Sequence, residues 1–189
     1  MPSSVPVLDA HIRLFGSVDD QMFRTFSEQL AQARQKVDAD KAIVLELTTT
    51  GGDADTGRRI ATDIRLCRQQ EGRTLRFLGK ASVYSAGITI MAAFPASQRY
   101  LARGTELLIH ERRITQTVQL NGALRSCMGQ LRDQLAALES GQRLEDDGFR
   151  EFVEGSSMTV QQVLDKVLAC DWYLTAEEAV KRGLAHSVV

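Results

Sequence analysis

Cysteine is scarce in this sequence of 189 residues, and the few present are badly placed for metal or disulfide chemistry. Cys67, Cys127 and Cys170 are far apart and odd in number, with no CxxC pair and no Cys/His cluster. That excludes the usual zinc patterns and a disulfide framework, and it fits a reduced, cytoplasmic setting. Charge of one sign is lacking as well. The net charge of −1 leaves no basic footprint for nucleic acid and no acidic tail. Long hydrophobic runs are absent. The longest, Ile88 to Phe94, is too short to cross a bilayer. The N-terminus, MPSSVPVLDAHIRLFG, has neither the basic start nor the apolar core of a signal peptide. No repeats, low-complexity tracts or Pro/Gly/Ser linkers interrupt the chain. What is present is an ordinary globular composition, 43% apolar and 25% charged, at a length that suits one domain with a substantial core.

Strand and helix patterns alternate along the chain. Ile12–Gly16 reads as a short strand ended by glycine. After Asp19-Asp20, the residues Met22, Phe26, Leu30 and Ala33 fall at steps of 4, 4 and 3, one face of a helix. Ala42–Leu47 is an apolar, partly β-branched strand of the buried parallel type, ended by Thr48-Thr-Thr-Gly-Gly52. A helix follows from about Thr56, with Ile60, Ile64 and Cys67 on one face. Thr74–Gly79 is a further strand. The segment SVYSAG reads as a turn into an apolar helix that stops near Pro95. Arg99–Leu101 and Leu107–Ile109 read as two strands joined by Arg103-Gly104. This alternation predicts an α/β fold with a mostly parallel sheet. Leu120, Leu124, Cys127, Leu131, Leu135 and Leu138 keep steps of 4, 3, 4, 4 and 3. They predict a long helix with a narrow apolar stripe that needs a partner surface, such as another subunit. Gly141 to Gly155 is charged and reads as exposed. Thr159–Gln162 and Thr175–Glu178 both fit the capping box, and Gly183 sits where a helix C-cap is expected.

Acyl transfer by serine needs a hydroxyl, a base, an acid that orients the base, and amides for the oxyanion. Ser85 opens the apolar helix and is followed by Ala86-Gly87. On local grounds it is a helix N-cap as readily as a nucleophile, and Ser82 competes with it. The free amides of a helix start favour negative charge, so the Ala86 amide is a candidate oxyanion donor. Gly51-Gly52 is either a plain turn or a backbone that can lie against a reacting carbonyl. Of the three histidines, His11 and His186 lie near the chain ends. His110 closes an apolar strand, where α/β folds carry functional groups. Asp171 has many rivals among 24 carboxylates and lies beside the apolar Trp172-Tyr-Leu174.

In this order the pieces resemble the ClpP family of serine peptidases, the proteolytic subunits of Clp proteases, from about Ile12 to Val189. IRLFGSVDDQMFRTFSEQL is similar to the family's first strand, glycine, Asp pair and helix. LELTTTGGDADTG resembles its strand and SPGG turn, with Thr49-Thr50 where Ser-Pro is usual. YSAGITIMAAF resembles the nucleophile segment, LLIHE the strand with the catalytic histidine, and CDWYLTAEEAVKRGLAHSVV the C-terminal segment that begins with the catalytic aspartate. The resemblance implies Ser85 as nucleophile, because its Ser-x-Gly fits where Ser82 has Tyr84. It implies His110 as general base, Asp171 as the orienting acid, and Gly52 and Ala86 as oxyanion amides.

It further implies a ClpP/crotonase-like fold of repeated β-β-α units with a mostly parallel sheet, a single peptidase domain over 1–189, and a handle at about 114–159. Several features depart from the family. SVYSAG is longer than the usual approach to the serine. Glu111-Arg112-Arg113 follows the histidine in place of Gln-Pro. The handle region is longer and lacks the glycine-rich strand. Trp172 replaces an arginine, and few residues precede the first strand.

The expected function is hydrolysis of peptide bonds in unfolded polypeptides by a cytoplasmic, homo-oligomeric ring. An AAA+ unfoldase is the expected partner; nucleic acid and membrane are not expected partners, and no metal or organic cofactor is expected. Two rivals are a non-catalytic ring subunit or assembly protein, and a crotonase-type acyl-CoA enzyme.

Overall fold

The computed structural model describes residues 8–189, so the reading of the first residues as free of a leader falls partly outside it. In chain order the elements are β1 (Ile12–Phe15), α1 (Asp20–Lys36), β2 (Ile43–Thr49), α2 (Ala54–Gln70), β3 (Leu75–Tyr84), α3 (Ala86–Ala92), β4 (Arg99–Leu101), β5 (Glu106–Ile109), α4 (Leu124–Val153), α5 (Val160–Val167), β6 (Trp172–Thr175), α6 (Ala176–Lys181) and β7 (Ser187–Val188). The sheet runs β1-β2-β3-β4-β7, with β5 added to β3 and β6 added to β5. All pairings are parallel except β5 with β6. The expected α/β fold, with a mostly parallel sheet and a long helix, is what forms.

The periodicities account for the core. Met22, Phe26, Leu30 and Ala33 of α1 and Ile60, Ile64 and Cys67 of α2 are buried. They pack on the alternate residues Ile43, Leu45 and Leu47 of β2 in one large apolar cluster. The intervening residue Val44 turns to the other face and meets Leu78 and Tyr100 in a small second cluster. Both capping boxes form, and Gly183 takes a left-handed φ of +73° after α6.

The structure revises several local readings. Helix α2 begins at Ala54 because Asp53 caps it, its side chain accepting from the Thr56 amide at 2.7 Å. That contact with Thr56 holds the Asp53 carboxyl below the usual range. Ser82-Val-Tyr84 is strand, not turn. Strand β3 bends at Ala81, where φ is +56°. Its first half pairs with β4 and its second half with β5, so β4 and β5 both flank β3 and do not pair with each other. Leu120 precedes α4. The expected exposed segment Gly141–Gly155 is mostly the continuation of α4, and its residues Phe149, Phe152 and Val153 are buried. Charges dominate that segment; Arg143, Asp147, Arg150 and Glu154 are exposed, while Glu145 and Glu151 are half-buried and Glu151 pairs with Arg65 of α2.

Arg99, at the start of β4, is 1% exposed. Its guanidinium donates to the carbonyls of Ala92 (3.3 Å), the last residue of α3, and Phe94 (2.7 Å) just after it. It also donates to Glu151 (3.2 Å) and Phe152 (2.8 Å) in the last turn of α4, and to Leu184 (3.2 Å). Burial pushes its pKa down to about 10, so it stays charged at neutral pH. Unpaired carbonyls and the negative ends of two helix dipoles stand in for a carboxylate. Arg99→Ala is expected to lower the unfolding free energy by about 3 kcal/mol or more, because several buried acceptors lose their donor together. Arg99→Lys, without the planar fork, should recover only part. Urea unfolding checks this, and a loss under about 1 kcal/mol for the alanine variant would contradict it.

Candidate active site

Ser85 joins β3 to α3 with φ +55° and ψ −115°, and its side chain makes no capping hydrogen bond. The N-cap reading of the serine is thereby set aside. A non-glycine residue held in this region costs on the order of 1–3 kcal/mol and persists only where its surroundings impose it. Here the Ser85 amide donates to Leu108 of β5 at 2.8 Å, and its carbonyl accepts from Ile88 of α3 at 2.9 Å. The backbone is pinned on both sides, and the hydroxyl is left free of the helix.

Glycines make room around it. Gly51 has φ +101°, and a Cβ built there would stand 2.7 Å from the Ser85 Cβ. A Cβ on Gly87 would stand 2.5 Å from Thr49 Cγ2, so α3 lies directly on β2. A Cβ on Gly57 would meet the Ala86 carbonyl at 3.1 Å, so α2 also closes on the start of α3. Thr49, read from the sequence only as standing where serine is usual, fixes the glycine turn. Its hydroxyl donates to the Gly16 carbonyl at 2.6 Å and accepts from the Gly51 amide at 3.0 Å. Val18 then bridges the turn through the Gly51 carbonyl (2.9 Å) and the Asp53 amide (2.7 Å). That bridge leaves the Gly52 N–H out of the ladder, on the side away from Val18. The Ala86 N–H, first in its helix, has no intrahelical partner either.

Ser85, Ala86, Gly52 and His110 line one cavity of about 400 Å³, together with Ile88, Leu144, Gly148 and Phe149. Of the other candidates, Ser82 lies within β3 and does not line it. His11 accepts from the Val44 amide at 3.0 Å, and His186 sits edge-on to Tyr100. Arg58 and Glu145 line the cavity and were not anticipated. Burial raises the Glu145 carboxyl above its usual range. Among the described residues no group of three or more His, Cys, Asp or Glu side chains is placed to hold a metal ion.

The β5–β6 register pairs Ile109 with Trp172. His110 and Asp171 are the next residues beyond that last pair, one on each chain segment. Their side chains are nevertheless engaged elsewhere. His110 Nδ1 lies 2.5 Å from the Glu111 carbonyl. A carbonyl only accepts, so Nδ1 carries the proton and Nε2 is left as acceptor in the neutral ring. The Asp171 carboxylate is held by the Arg113 guanidinium. Among the described residues no hydrogen bond joins Ser85 to His110 or His110 to Asp171.

A family model described as Clp protease matches residues 4–189. The chain belongs to the Clp protease family. It is 26% identical over 181 residues to an ATP-dependent Clp protease proteolytic subunit of Paracoccus denitrificans, covering 95% of this chain and 81% of the relative. It is also 26% identical over 177 residues to ATP-dependent Clp protease proteolytic subunit 2 of Pseudomonas aeruginosa, covering 92% and 78%. A mutant of ClpP1 from Listeria monocytogenes shares the fold, with a TM-score of 0.75 over 94% of this chain and 90% of that one at 19% identity. Membership in the Clp protease family supports a peptidase, and the geometry above shows what this member offers such chemistry.

In this Clp-family chain the position of Ser85 depends on the absence of a side chain at Gly51. Gly51→Ala is expected to displace Ser85 and to slow its reaction with a fluorophosphonate by roughly tenfold or more, about 1.4 kcal/mol at the site. The strained φ should also cost about 1–3 kcal/mol of stability. Labelling rate and urea unfolding, measured on the same preparation, separate the two effects. An unchanged labelling rate would show that the contact does not set the serine.

Proposed function

We propose that this protein is a serine endopeptidase subunit that hydrolyses peptide bonds in unfolded polypeptides. One observation carries the reading: Ser85 is held in a left-handed conformation with an uncapped hydroxyl, in one cavity with His110, Gly52 and Ala86. In this reading Nε2 of His110 takes the Ser85 proton as Oγ attacks the peptide carbonyl. The Gly52 and Ala86 amides receive the oxyanion, each contributing about 3 kcal/mol. The imidazolium then gives its proton to the leaving amine. Water, deprotonated by the same ring, cleaves the acyl-enzyme. Asp171 turns to Nδ1 and orients the ring. The step draws on no metal or organic cofactor. The reported relatives are proteolytic subunits, which favours neither the acyl-CoA enzyme nor the non-catalytic subunit.

The working unit in this reading is a homo-oligomeric ring, supplied with unfolded chains by an AAA+ unfoldase. The first half of α4 supports the oligomer. Leu124, Met128, Leu131, Leu135 and Leu138 are 41–85% exposed along one stripe, an apolar face that a second copy can bury. No helix among the described residues is long and apolar enough to cross a membrane.

Ser85→Ala is expected to abolish fluorophosphonate labelling. Both Ser85→Ala and His110→Ala should lower cleavage of a fluorogenic peptide at least about 10³-fold with the fold retained. Labelling that persists in Ser85→Ala would overturn the nucleophile. Leu131→Glu combined with Leu135→Glu should shift the sedimenting species to a smaller size, because charge cannot be buried on that stripe unpaired. An unchanged sedimentation profile would remove α4 from the interface.

A further inference from the structure

Residues 111–113 follow β5 closely and run along the cavity as a strap. Each has its own anchor. The Glu111 carbonyl takes His110 Nδ1 at 2.5 Å. The Arg112 guanidinium bonds Asp55 of α2 at 2.8 Å, and its amide donates to Glu145 of α4. The Arg113 guanidinium holds Asp171. The strap is also a common wall. Glu111, Arg112 and Arg113 line both the cavity of Ser85 and a neighbouring one of about 540 Å³ that reaches Ser140 on α4.

We propose that this strap is an autoinhibitory device in which Arg113 competes with His110 for Asp171. The proposal rests on the reading of Ser85, His110 and Asp171 as the catalytic set. The strap acts on both members of the pair at once. Arg113 draws the carboxylate away, and the Glu111 carbonyl occupies the ring nitrogen that Asp171 would orient. Release keeps the sheet intact, because His110 and Asp171 directly adjoin the last β5–β6 pair, Ile109 with Trp172. The His110 and Asp171 side chains rotate, and the strap gives up its Arg112 contacts to Asp55 and Glu145. The restraint is also weak enough to be reversible. The Arg113 side chain is 70% exposed and that of Asp171 36%, and exposed pairs are screened by salt. Lifting the strap removes part of the wall between the two cavities, which also share Leu144 and Glu145 of α4. The same movement therefore orients the base and admits an extended chain. Arg113 touches no reacting atom in this scheme; it acts on the position of Asp171.

The test compares the full-length wild type with Arg113→Gln, an exposed change that leaves the core intact. A crystal structure of the variant is expected to show the Asp171 carboxylate within about 3.2 Å of His110 Nδ1. Fluorophosphonate labelling of Ser85 should be about 2- to 5-fold faster than in wild type, the range that an exposed ion pair can hold back. Salt at about 1 M should speed the wild type more than the variant, which keeps only the Arg112–Asp55 ion pair in the strap. Arg113→Lys keeps the charge and should stay near wild type. A variant in which Asp171 still stands off His110, with labelling no faster than wild type, overturns the strap and leaves the nucleophile in place. Asp171 turned to His110 with no label on Ser85 in either protein upholds the strap and overturns the nucleophile.

Discussion

The backbone of Ser85 is the constraint on which the rest is arranged. Its φ of +55° is expensive for a residue with a Cβ. Three neighbours impose it. Strand β5 takes the amide, helix α3 takes the carbonyl, and Gly51 leaves space beneath. An ordinary helix cap has an extended backbone and bonds its hydroxyl to the helix; Ser85 does neither. The absence of that bond is what makes this serine a candidate nucleophile. Glycine at 51, 57 and 87 follows from the same constraint, since a side chain at any of them would meet the backbone or side chains of this junction.

Helix α3 is short, seven residues or about 10 Å. Whatever fixes its far end also fixes Ser85. Arg99 does this by binding carbonyls at the ends of α3 and α4. A buried cation is normally a cost. Here the charge is matched by groups that the helix ends leave unpaired, so one residue meets several needs. The arrangement also explains why the C-terminal turn of α4 is buried while its first half presents leucines to solvent. Only the end near Arg99 belongs to the core of this chain.

Much of the fold was readable because its signals are local. Helical spacing in α1 and α2, both capping boxes and the glycine after α6 depend on residues within a turn or two of one another. The readings that failed depend on distant partners. Ser82-Val-Tyr84 follows a glycine and reads as a turn, but β5 gives those residues a second neighbour and keeps them in the sheet. The charges of Gly141–Gly155 suggested an exposed segment, while Phe149 and Phe152 already carried the helical phase that buries them. Arg99 reads as an ordinary strand arginine, because nothing beside it names the helix ends that it will meet.

The order of the segments and the residue types at Gly51-Gly52, Ser85, His110 and Asp171 were determined by the sequence alone. So was the mostly parallel α/β arrangement, since period and capping are properties of neighbours along the chain. Tertiary structure decided how those groups stand toward one another. It freed the Ser85 hydroxyl, turned His110 Nδ1 to Glu111 and gave Asp171 to Arg113. Arg113 and Asp171 lie 58 residues apart in the chain. A contact at that separation exists only once the strands on either side have paired, which is why no local pattern announces it.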